Sequence, residues 1–148
     1  MFRKGKSIRI RVAAVIIEND RILMVTHKKK NNLYWLLPGG GVEYGESLES
    51  ALKRELMEEL DISIEVFEPV IICDSIDPSG RRHILNICFR CKKLPGDLKL
   101  GKDKRLFDFN YLTIDEIKNA RLYPPLGDEI FKLMEGTSTK LYAGRIWQ

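Results

Sequence analysis

A run of glycines in this chain is followed by a predicted helix with three glutamates on its inner side, and this arrangement restricts the possible folds. Apolar residues recur at helical spacing through residues 48–60, which predicts about four helical turns after an N-cap at Ser47. Each residue advances about 100° around a helix, so Glu55, Glu58 and Glu59 lie within an arc of about 100° that overlaps the buried side. A solvated stripe of charge would lie opposite the leucines. The three carboxylates therefore require a positively charged partner.

A divalent cation is the partner that suits these carboxylates best. Like charges about 6 Å apart repel by about 3 kcal/mol per pair at an effective dielectric constant of about 20. Crowded carboxylates respond by protonating, pairing with cations or binding metal. Lys53 and Arg54 are close in sequence, but they cannot neutralise three carboxylates at once. Magnesium takes carboxylate, water and phosphate oxygens, so the sequence predicts a Mg²⁺ site, with Mn²⁺ as an alternative.

The glycine run is expected to bind phosphate. In Pro38-Gly39-Gly40-Gly41, backbone without side chains can pass close to a ligand and adopt positive φ, which predicts a turn. Exposed N–H groups in such a turn, near a helix start, form an anion-binding concavity. A phosphate site within a helix length of a carboxylate cluster predicts metal-assisted chemistry on a phosphate ester or anhydride.

At this point the residues resemble a known family, the Nudix hydrolases. Their signature is G-x5-E-x7-R-E-U-x-E-E-x-G-U, where U is a bulky aliphatic residue. In this chain the positions are filled by Gly40, Glu46, Arg54, Glu55, Leu56, Glu58, Glu59, Asp61 and Ile62. Asp61 stands where the family has glycine. We expect it to end the helix in a left-handed conformation, at a cost of about 1 kcal/mol or less relative to glycine. The lead-in at residues 35–41 also resembles the family.

The resemblance implies both a fold and a metal site. Nudix domains have an α/β/α arrangement, and their metal is held by box glutamates and a backbone carbonyl. In this chain those ligands correspond to Glu55, Glu58, Glu59 and the carbonyl of Gly39. The implied role of Arg54 is to orient a box carboxylate such as that of Glu46. The implied reaction is hydrolysis of a nucleoside diphosphate linked to another moiety, as in ADP-ribose, a nucleotide sugar or a (d)NTP.

The general base is left open by the resemblance. Some family members use a box glutamate, which corresponds to Glu58 or Glu59, and we favour this reading. Others use a carboxylate from a later loop, where this chain offers Asp103 and Asp108. A glutamate is common in that region of the family, and this chain has none there.

The rest of the chain is consistent with one domain over residues 1–148, an α+β fold with a mixed central sheet between helices. Asn19-Asp20 predicts a hairpin turn, and Thr113 with Glu116 predicts a capping box. Predicted strands cover residues 8–17, 21–27, 62–76 with a break near Pro69, 82–93 and 109–112. A second helix is predicted to begin at residue 114, and a third helix is predicted over residues 125–135.

Candidate substrate contacts lie outside the glutamate helix. Arg9 and Arg11 alternate on one face of the first strand and suit a phosphate or a base, although an exposed strand arginine needs no ligand. Arg82, in a basic triplet after a turn, is a further candidate. Gly40 and Gly41 are expected at the phosphates. Glu43, beside them, is either a site residue or an ordinary loop charge.

Three weaker signals bear on the substrate. Tyr34 or Trp35 could stack on a base, although core positions are the commoner role. The lysine run at residues 28–30 is either a solvated loop tip or a patch that steers polyanions. Pro78 lies sixteen positions past the box, where ADP-ribose-cleaving members often carry proline.

Composition indicates the setting. The net charge of +4 is modest and predicts no nucleic-acid partner. No apolar run reaches the roughly 18 residues of a membrane span, so no membrane association is expected. Cys73, Cys88 and Cys91 are odd in number, and reduced, buried thiols in a cytoplasmic protein are favoured over a zinc site.

The segment at residues 137–148 is rich in strand formers and is predicted to dock on its own sheet or on a second subunit, so a homodimer is a further hypothesis. An alternative function is a catalytically silent nucleotide sensor on the same fold. Such proteins usually lose box carboxylates, and here all three glutamates are present.

Overall fold

The computed structural model describes residues 6–137 and 139–147. Its strands are β1 Arg9–Val15, β2 Ile17–Glu18, β3 Arg21–Lys29, β4 Asn32–Leu36, β5 Gly39–Gly41, β6 Ile64–Ile76, β7 His83–Lys93, β8 Leu106–Leu112 and β9 Tyr142–Ile146. Its helices are α1 Leu48–Leu60, α2 Ile114–Asn119 and α3 Gly127–Met134. In this described part, no helix combines the length and apolar character needed to cross a membrane.

The strands form two sheets. The larger sheet has the order β5-β1-β7-β6-β9 and is mixed, since β1 runs parallel to β7 while β6 runs antiparallel to it. In the smaller sheet, β3 pairs antiparallel with β2, β4 and β8. The expected α+β fold with a mixed sheet is confirmed, and the second, antiparallel sheet is an addition to it.

The core lies on both faces of the mixed sheet. Successive side chains of a strand point to opposite faces, so β1 sends Val12 and Ala14 to one face and Ala13 and Val15 to the other. The first face packs against the leucines of α1, and the second packs against α3 through Ile130. This gives the helix, sheet, helix layering that the sequence resemblance implied.

Two local predictions are confirmed by backbone geometry. Asn19 and Asp20 have φ of 51° and 60°, the positive values that a two-residue hairpin turn of the favoured hand requires. Thr113 caps α2, because its side chain accepts from the N–H of Glu116 while the Glu116 side chain accepts from the N–H of Thr113. These signals depend only on neighbouring residues, which explains why the sequence carries them.

Both ends of α1 also agree with the sequence. The Ser47 hydroxyl accepts from the N–H of Ser50 at 3.0 Å, as an N-cap does. Asp61 has φ 57° and ψ 36°, so it takes the left-handed conformation in place of the usual glycine. Its N–H donates to the Met57 carbonyl at 3.0 Å and closes the last turn.

Two elements differ from the sequence expectation, and a third agrees with one of its two alternatives. Strand β6 is continuous through Pro69, and the register shifts on either side of this residue absorb the missing N–H in a bulge. Strand β4 was not predicted; it returns from the lysine run, where Lys30 has φ 57°. Strand β9 pairs parallel with β6, so the described part of the predicted tail docks on its own sheet, while residues 138 and 148 of that tail lie outside the described residues.

The three cysteines are buried and free. Cys88 packs on the α3 side of the sheet and Cys91 on the α1 side, because residues three apart in a strand point to opposite faces. Burial raises the pKa of Cys88 and of Cys91 to about 12, so both remain thiols at neutral pH.

Candidate active site

The glycine run is a strand rather than the predicted turn. Gly39, Gly40 and Gly41 pair antiparallel with β1, and of the three only Gly39 has positive φ, at an extended 159°. The predicted positive-φ turn is therefore wrong, and the contact of this run with phosphate stays a prediction. The N–H of Gly39 is already used, since it donates to Oε1 of Glu59 at 3.1 Å.

Close packing explains why this strand lacks side chains. A Cβ on Gly40 would overlap the carboxylate of Glu55, and a Cβ on Gly39 would overlap the backbone carbonyl of Val12. Without them, β5 lies directly against both β1 and the glutamate face of α1. The glycines therefore bring backbone and carboxylates together at one end of the site.

The three glutamates differ in burial. Glu59 is 8% exposed, Glu55 is half-buried, and the Glu58 side chain is 61% exposed. This gradient follows from their positions on α1, where Glu59 neighbours the buried Leu60 and Glu58 lies at the solvent edge. A charge buried as deeply as that of Glu59 requires a partner.

Arg54 connects the carboxylates of this region. Its guanidinium donates to both oxygens of Glu46, at 2.7 Å and 2.8 Å, in a bidentate pair. The same group donates to Glu55 at 2.9 Å, to Glu58 at 3.3 Å and to the carbonyl of Gly41 at 3.0 Å. One arginine thus ties the loop before α1, the helix and β5 together, and Glu46 is the carboxylate that the sequence hypothesis paired with it.

The carboxylate pKa values show how incompletely the charges are balanced. The hydrogen bond from Arg54 lowers the pKa of Glu46 to about 2. The pKa of Glu55 is raised, chiefly because burial disfavours its charge, and the nearby Glu58 and Glu59 add to this while Arg54 opposes it. Ionised Glu55 would therefore be stabilised by a further positive charge.

His27 is a site residue that sequence reasoning missed. It lies on β3, and its Nε2 is 3.9 Å from Oε2 of Glu59. Its side chain is 12% exposed, and Nε2 has no hydrogen-bond partner among the described residues. Leu23 and Val25, four and two positions earlier, face the core on this side of the strand. His27 continues the alternation of inward-facing residues on β3, and a polar residue at such a position was the signal that could have identified it as a site residue.

The donor set fits a hard divalent cation. Among the described residues, no three His, Cys, Asp or Glu side chains are already arranged to hold a metal. The reason is visible in the contacts, since Glu55 and Glu58 face Arg54 while Glu59 faces the N–H of Gly39. The carboxylates of Glu55, Glu58 and Glu59 are nevertheless oxygen donors that differ in burial, and the guanidinium of Arg54 offsets only part of their negative charge. This is the chemistry that Mg²⁺ and Mn²⁺ prefer.

A cavity of about 630 Å³ opens from the glutamates. Seven Lys and Arg side chains line it against four Asp and Glu, which suits a polyanionic ligand in contact with a cation. The cationic lining residues are Arg9, Arg11, Lys29, Lys30, Arg82, Arg105 and Arg121; the acidic ones are Glu55, Glu58, Glu59 and Asp103.

Most of the predicted substrate contacts line this cavity. Arg9, Arg11, Gly40, Gly41 and Arg82 are all among its walls. Arg11 also donates to the carbonyl of Leu37 at 2.8 Å, which fixes its direction.

Glu43 lies outside the cavity, in a neighbouring and more open groove. Its N–H donates to Glu46. Of the two later-loop carboxylates, Asp103 lines the cavity and Asp108 does not. Asp103 accepts three hydrogen bonds from Arg105, and the side-chain contact is the main cause of its lowered pKa.

Aromatic residues form another part of the cavity wall. Tyr34, Tyr123 and Trp147 all line it. Trp35, in contrast, packs in the core on the α3 side. Sequence reasoning missed Tyr123 and Trp147, because each is brought to the site by a strand pairing or bridge between distant parts of the chain.

Comparison with known proteins agrees with this geometry. The sequence profile of the NUDIX domain matches residues 8–134. An ADP-ribose pyrophosphatase from Methanocaldococcus jannaschii is 35% identical over 109 residues, which is 70% of this chain and 63% of that protein. The NAD-capped RNA hydrolase NudC from Pectobacterium atrosepticum is 32% identical over 127 residues, which is 85% of this chain and 45% of that protein.

Among solved structures, a MutT NUDIX hydrolase from Burkholderia pseudomallei superposes with a TM-score of 0.68 at 26% identity, over 75% of this chain and 87% of that one. The chain thus spans less than two thirds of the length of the two curated relatives, and matches most of the length of this structure.

Proposed function

The chain belongs to the NUDIX domain family, and we propose that it is a divalent-metal-dependent pyrophosphohydrolase. The substrate is a nucleoside diphosphate linked to another moiety. The observation that carries the proposal is one cavity that joins the α1 glutamates to seven cationic side chains. A pyrophosphate needs cations around its charge, and its hydrolysis needs a carboxylate-bound metal beside it.

The residues divide into a metal end and a phosphate end. Glu55, Glu58, Glu59 and the carbonyl of Gly39 would hold Mg²⁺, or Mn²⁺ in its place. When bound, the metal supplies charge neutralisation and a more acidic water. Arg54 keeps the carboxylates in position through its five hydrogen bonds.

At the phosphate end, Arg9, Arg11 and Arg82 bind the phosphate oxygens and orient the anhydride for in-line attack. Backbone of Gly40 and Gly41 lies at the boundary between the two ends. Glu43 contributes from the neighbouring groove, through its backbone contact with Glu46.

Glu58 is the carboxylate best suited to accept the proton of the attacking water. It lines the cavity, and its side chain is 61% exposed, so water reaches it. Glu59 is buried and already accepts from Gly39, which suits a ligand better than a base. Asp103 is a weaker candidate because its hydrogen bonds from Arg105 lower its pKa.

ADP-ribose is the first substrate to test. The Methanocaldococcus jannaschii relative carries the name of that activity. Pro78 lies sixteen positions past the box, where the family resemblance implies a proline in ADP-ribose-cleaving members. The ligand is a small nucleotide, with no membrane or nucleic-acid partner. The buried free thiols suit a cytoplasmic setting. A homodimer and a single domain over residues 1–148 remain parts of the proposal.

A substrate panel with Mg²⁺ tests the activity. It contains ADP-ribose, nucleotide sugars, dinucleoside polyphosphates, normal and oxidised (d)NTPs and, because of the NudC relative, NAD and NAD-capped RNA. Release of phosphate or nucleoside monophosphate is measured. We expect turnover of at least one member, lost when EDTA removes the metal and restored by Mg²⁺ or Mn²⁺.

Glutamate variants then test the assignment of roles. We expect Glu58→Gln to lower kcat by about 10²-fold or more and Glu59→Gln by at least about tenfold, with the fold retained. Glu49→Gln is the matched control, since Glu49 lies on the same helix, is exposed and, among the described residues, pairs only with Lys53, at 3.2 Å. Unchanged metal-dependent turnover in Glu59→Gln would reject the site. No turnover on any substrate, with nucleotide binding kept, would favour the sensor.

A further inference from the structure

A row of aromatic rings runs along the cavity from the glutamates. It begins at His27, beside Glu59, and continues through Tyr34 and Tyr123 to Trp147. The successive ring centroids are 6.0, 5.9 and 5.8 Å apart, each pair in an edge-to-face arrangement. All four side chains line the cavity. His27 is thus the end of the row beside the carboxylates, and Trp147 is the opposite end.

Trp147 lies outside the region that the NUDIX profile matches. The NUDIX profile matches residues 8–134, whereas Trp147 directly follows strand β9. Strand β9 is held by its pairing with β6 and by a side-chain contact, in which the Tyr142 hydroxyl donates to Asp74 at 2.7 Å. Asp74 also contacts His83 of β7 at 2.9 Å. A segment beyond the profile match is thus fixed so that it carries an aromatic ring to the cavity.

The aromatic end also has an unused polar group. The Tyr123 hydroxyl is buried and has no hydrogen-bond partner among the described residues, although the residue lines the cavity. A buried hydroxyl is normally hydrogen-bonded, and Tyr123 is packed edge-on against rings on both sides. A flat ligand with a polar edge would satisfy it, whereas a purely apolar ligand would not.

We propose that Tyr34, Tyr123 and Trp147 form a nucleobase site, and that Trp147 is a specificity-determining residue supplied by strand β9. This rests on the proposed pyrophosphohydrolase function. The phosphates lie among the arginines next to the glutamates, and the base lies against the far end of the aromatic row. Stacking on an aromatic side chain accounts for about a tenfold or larger change in affinity per base. The Tyr123 hydroxyl bonds to the polar edge of the base.

The test separates the base from the phosphates by using AMP and inorganic pyrophosphate as probes. Calorimetric titration compares the unmodified protein with Trp147→Leu, Trp147→Phe and Phe67→Leu. Phe67 is the control because it is an exposed aromatic residue that packs against Arg90 and does not line the cavity. We expect Trp147→Leu to weaken AMP binding about tenfold and to leave pyrophosphate binding unchanged. Trp147→Phe should keep AMP binding within about threefold, and Phe67→Leu should alter neither.

Tryptophan fluorescence is a second measurement, and it can detect contact between AMP and Trp147 in variants that still bind AMP. The chain has two tryptophans, Trp35 and Trp147. We expect AMP, but not pyrophosphate, to change the emission of the unmodified protein, and we expect that change to vanish in Trp147→Phe while AMP still binds. This measurement stands even if Trp147→Leu fails to fold.

Kinetics with a turned-over substrate add a further check. For a base-containing substrate, Trp147→Leu should raise KM about tenfold with kcat nearly unchanged, because the ring contacts the base in ground and transition states alike. Equal weakening of AMP and pyrophosphate, or weakening of neither, would overturn the base site. If no substrate is hydrolysed while the AMP difference is seen, the proposed function fails and the base site survives.

Discussion

Removal of the Arg54 guanidinium tests whether this residue holds the glutamate site together. The change Arg54→Met keeps the aliphatic bulk and deletes all five hydrogen bonds to Glu46, Glu55, Glu58 and Gly41. Glu55 is the partner that determines the cost, because its side chain is only 19% exposed and burial already raises its pKa. Without Arg54, Glu55 becomes a half-buried carboxylate with no arginine partner among the described residues.

The expected loss can be bounded. A buried group that loses its hydrogen-bond partner lowers the free energy of unfolding by about 1–3 kcal/mol. When the lost partner belonged to a fully buried ion pair, the decrease is about 3–5 kcal/mol. The Arg54 side chain is 26% exposed, so the lower range applies and about 2 kcal/mol is expected. For a chain of this size that corresponds to a fall in Tm of about 4–8 °C at neutral pH.

The loss should depend on pH. Arg54 opposes the upward shift in the pKa of Glu55, so its removal raises that folded-state pKa further above the unfolded value. The folded variant then binds a proton more readily than the unfolded chain does. Its stability therefore falls as pH rises through the window between the two pKa values, and it recovers as pH is lowered toward the unfolded value. Adding Glu55→Gln to the variant should recover stability at neutral pH.

The assay is thermal unfolding followed by circular dichroism at several pH values. Arg90→Met is the matched control, because Arg90 also makes a bidentate pair, with Glu68 at 2.8 Å and 3.1 Å, but both side chains are more than half exposed. We expect it to lower Tm by less than about 2 °C. Equal shifts in the two variants, or an Arg54→Met shift that does not change with pH, would refute the reasoning.

Two further outcomes follow from the helix end and from strand β9. Asp61→Gly should raise Tm by about 2–4 °C, since glycine adopts the φ of 57° seen at Asp61 without steric cost; a lower Tm would contradict this. Tyr142→Phe should lower Tm at neutral pH. The pKa of Asp74 is lowered by its hydrogen bonds from His83 and Tyr142, so this difference is present while Asp74 is ionised and should disappear as pH falls through its folded-state pKa, below 3.8. A difference that stays constant into acid would reject the coupling.

Residues that act on near neighbours were predictable from the amino-acid order. The hairpin at Asn19 and Asp20, the N-cap at Ser47 and the left-handed end of α1 at Asp61 each depend on a few adjacent residues. The glutamate spacing on α1 has the same character, because one turn of helix sets it. Conformational preference and side-chain capping operate over this range, so the sequence alone carries these features.

The glycine run was correctly singled out from the sequence, but it forms strand β5 and not the predicted turn. Three successive glycines permit both a turn and a close approach, and the residues themselves do not distinguish them. The run is a strand because it pairs with β1 on one side and packs against the carboxylate of Glu55 on the other, and neither contact leaves room for a Cβ. Strand β4 was missed for a related reason, since its pairing partner β3 lies across the lysine run.

The amino-acid order alone was enough to predict metal-assisted phosphate chemistry, from the three glutamates of α1 and the arginine that precedes them. The surroundings of these residues became visible with the fold: His27 beside Glu59, the arginines along the cavity, and the aromatic row that ends at Trp147. These contacts join residues far apart in the chain, which are brought together by sheet pairing and by burial on a shared face. Such contacts depend on the whole fold, and no short stretch of residues encodes them.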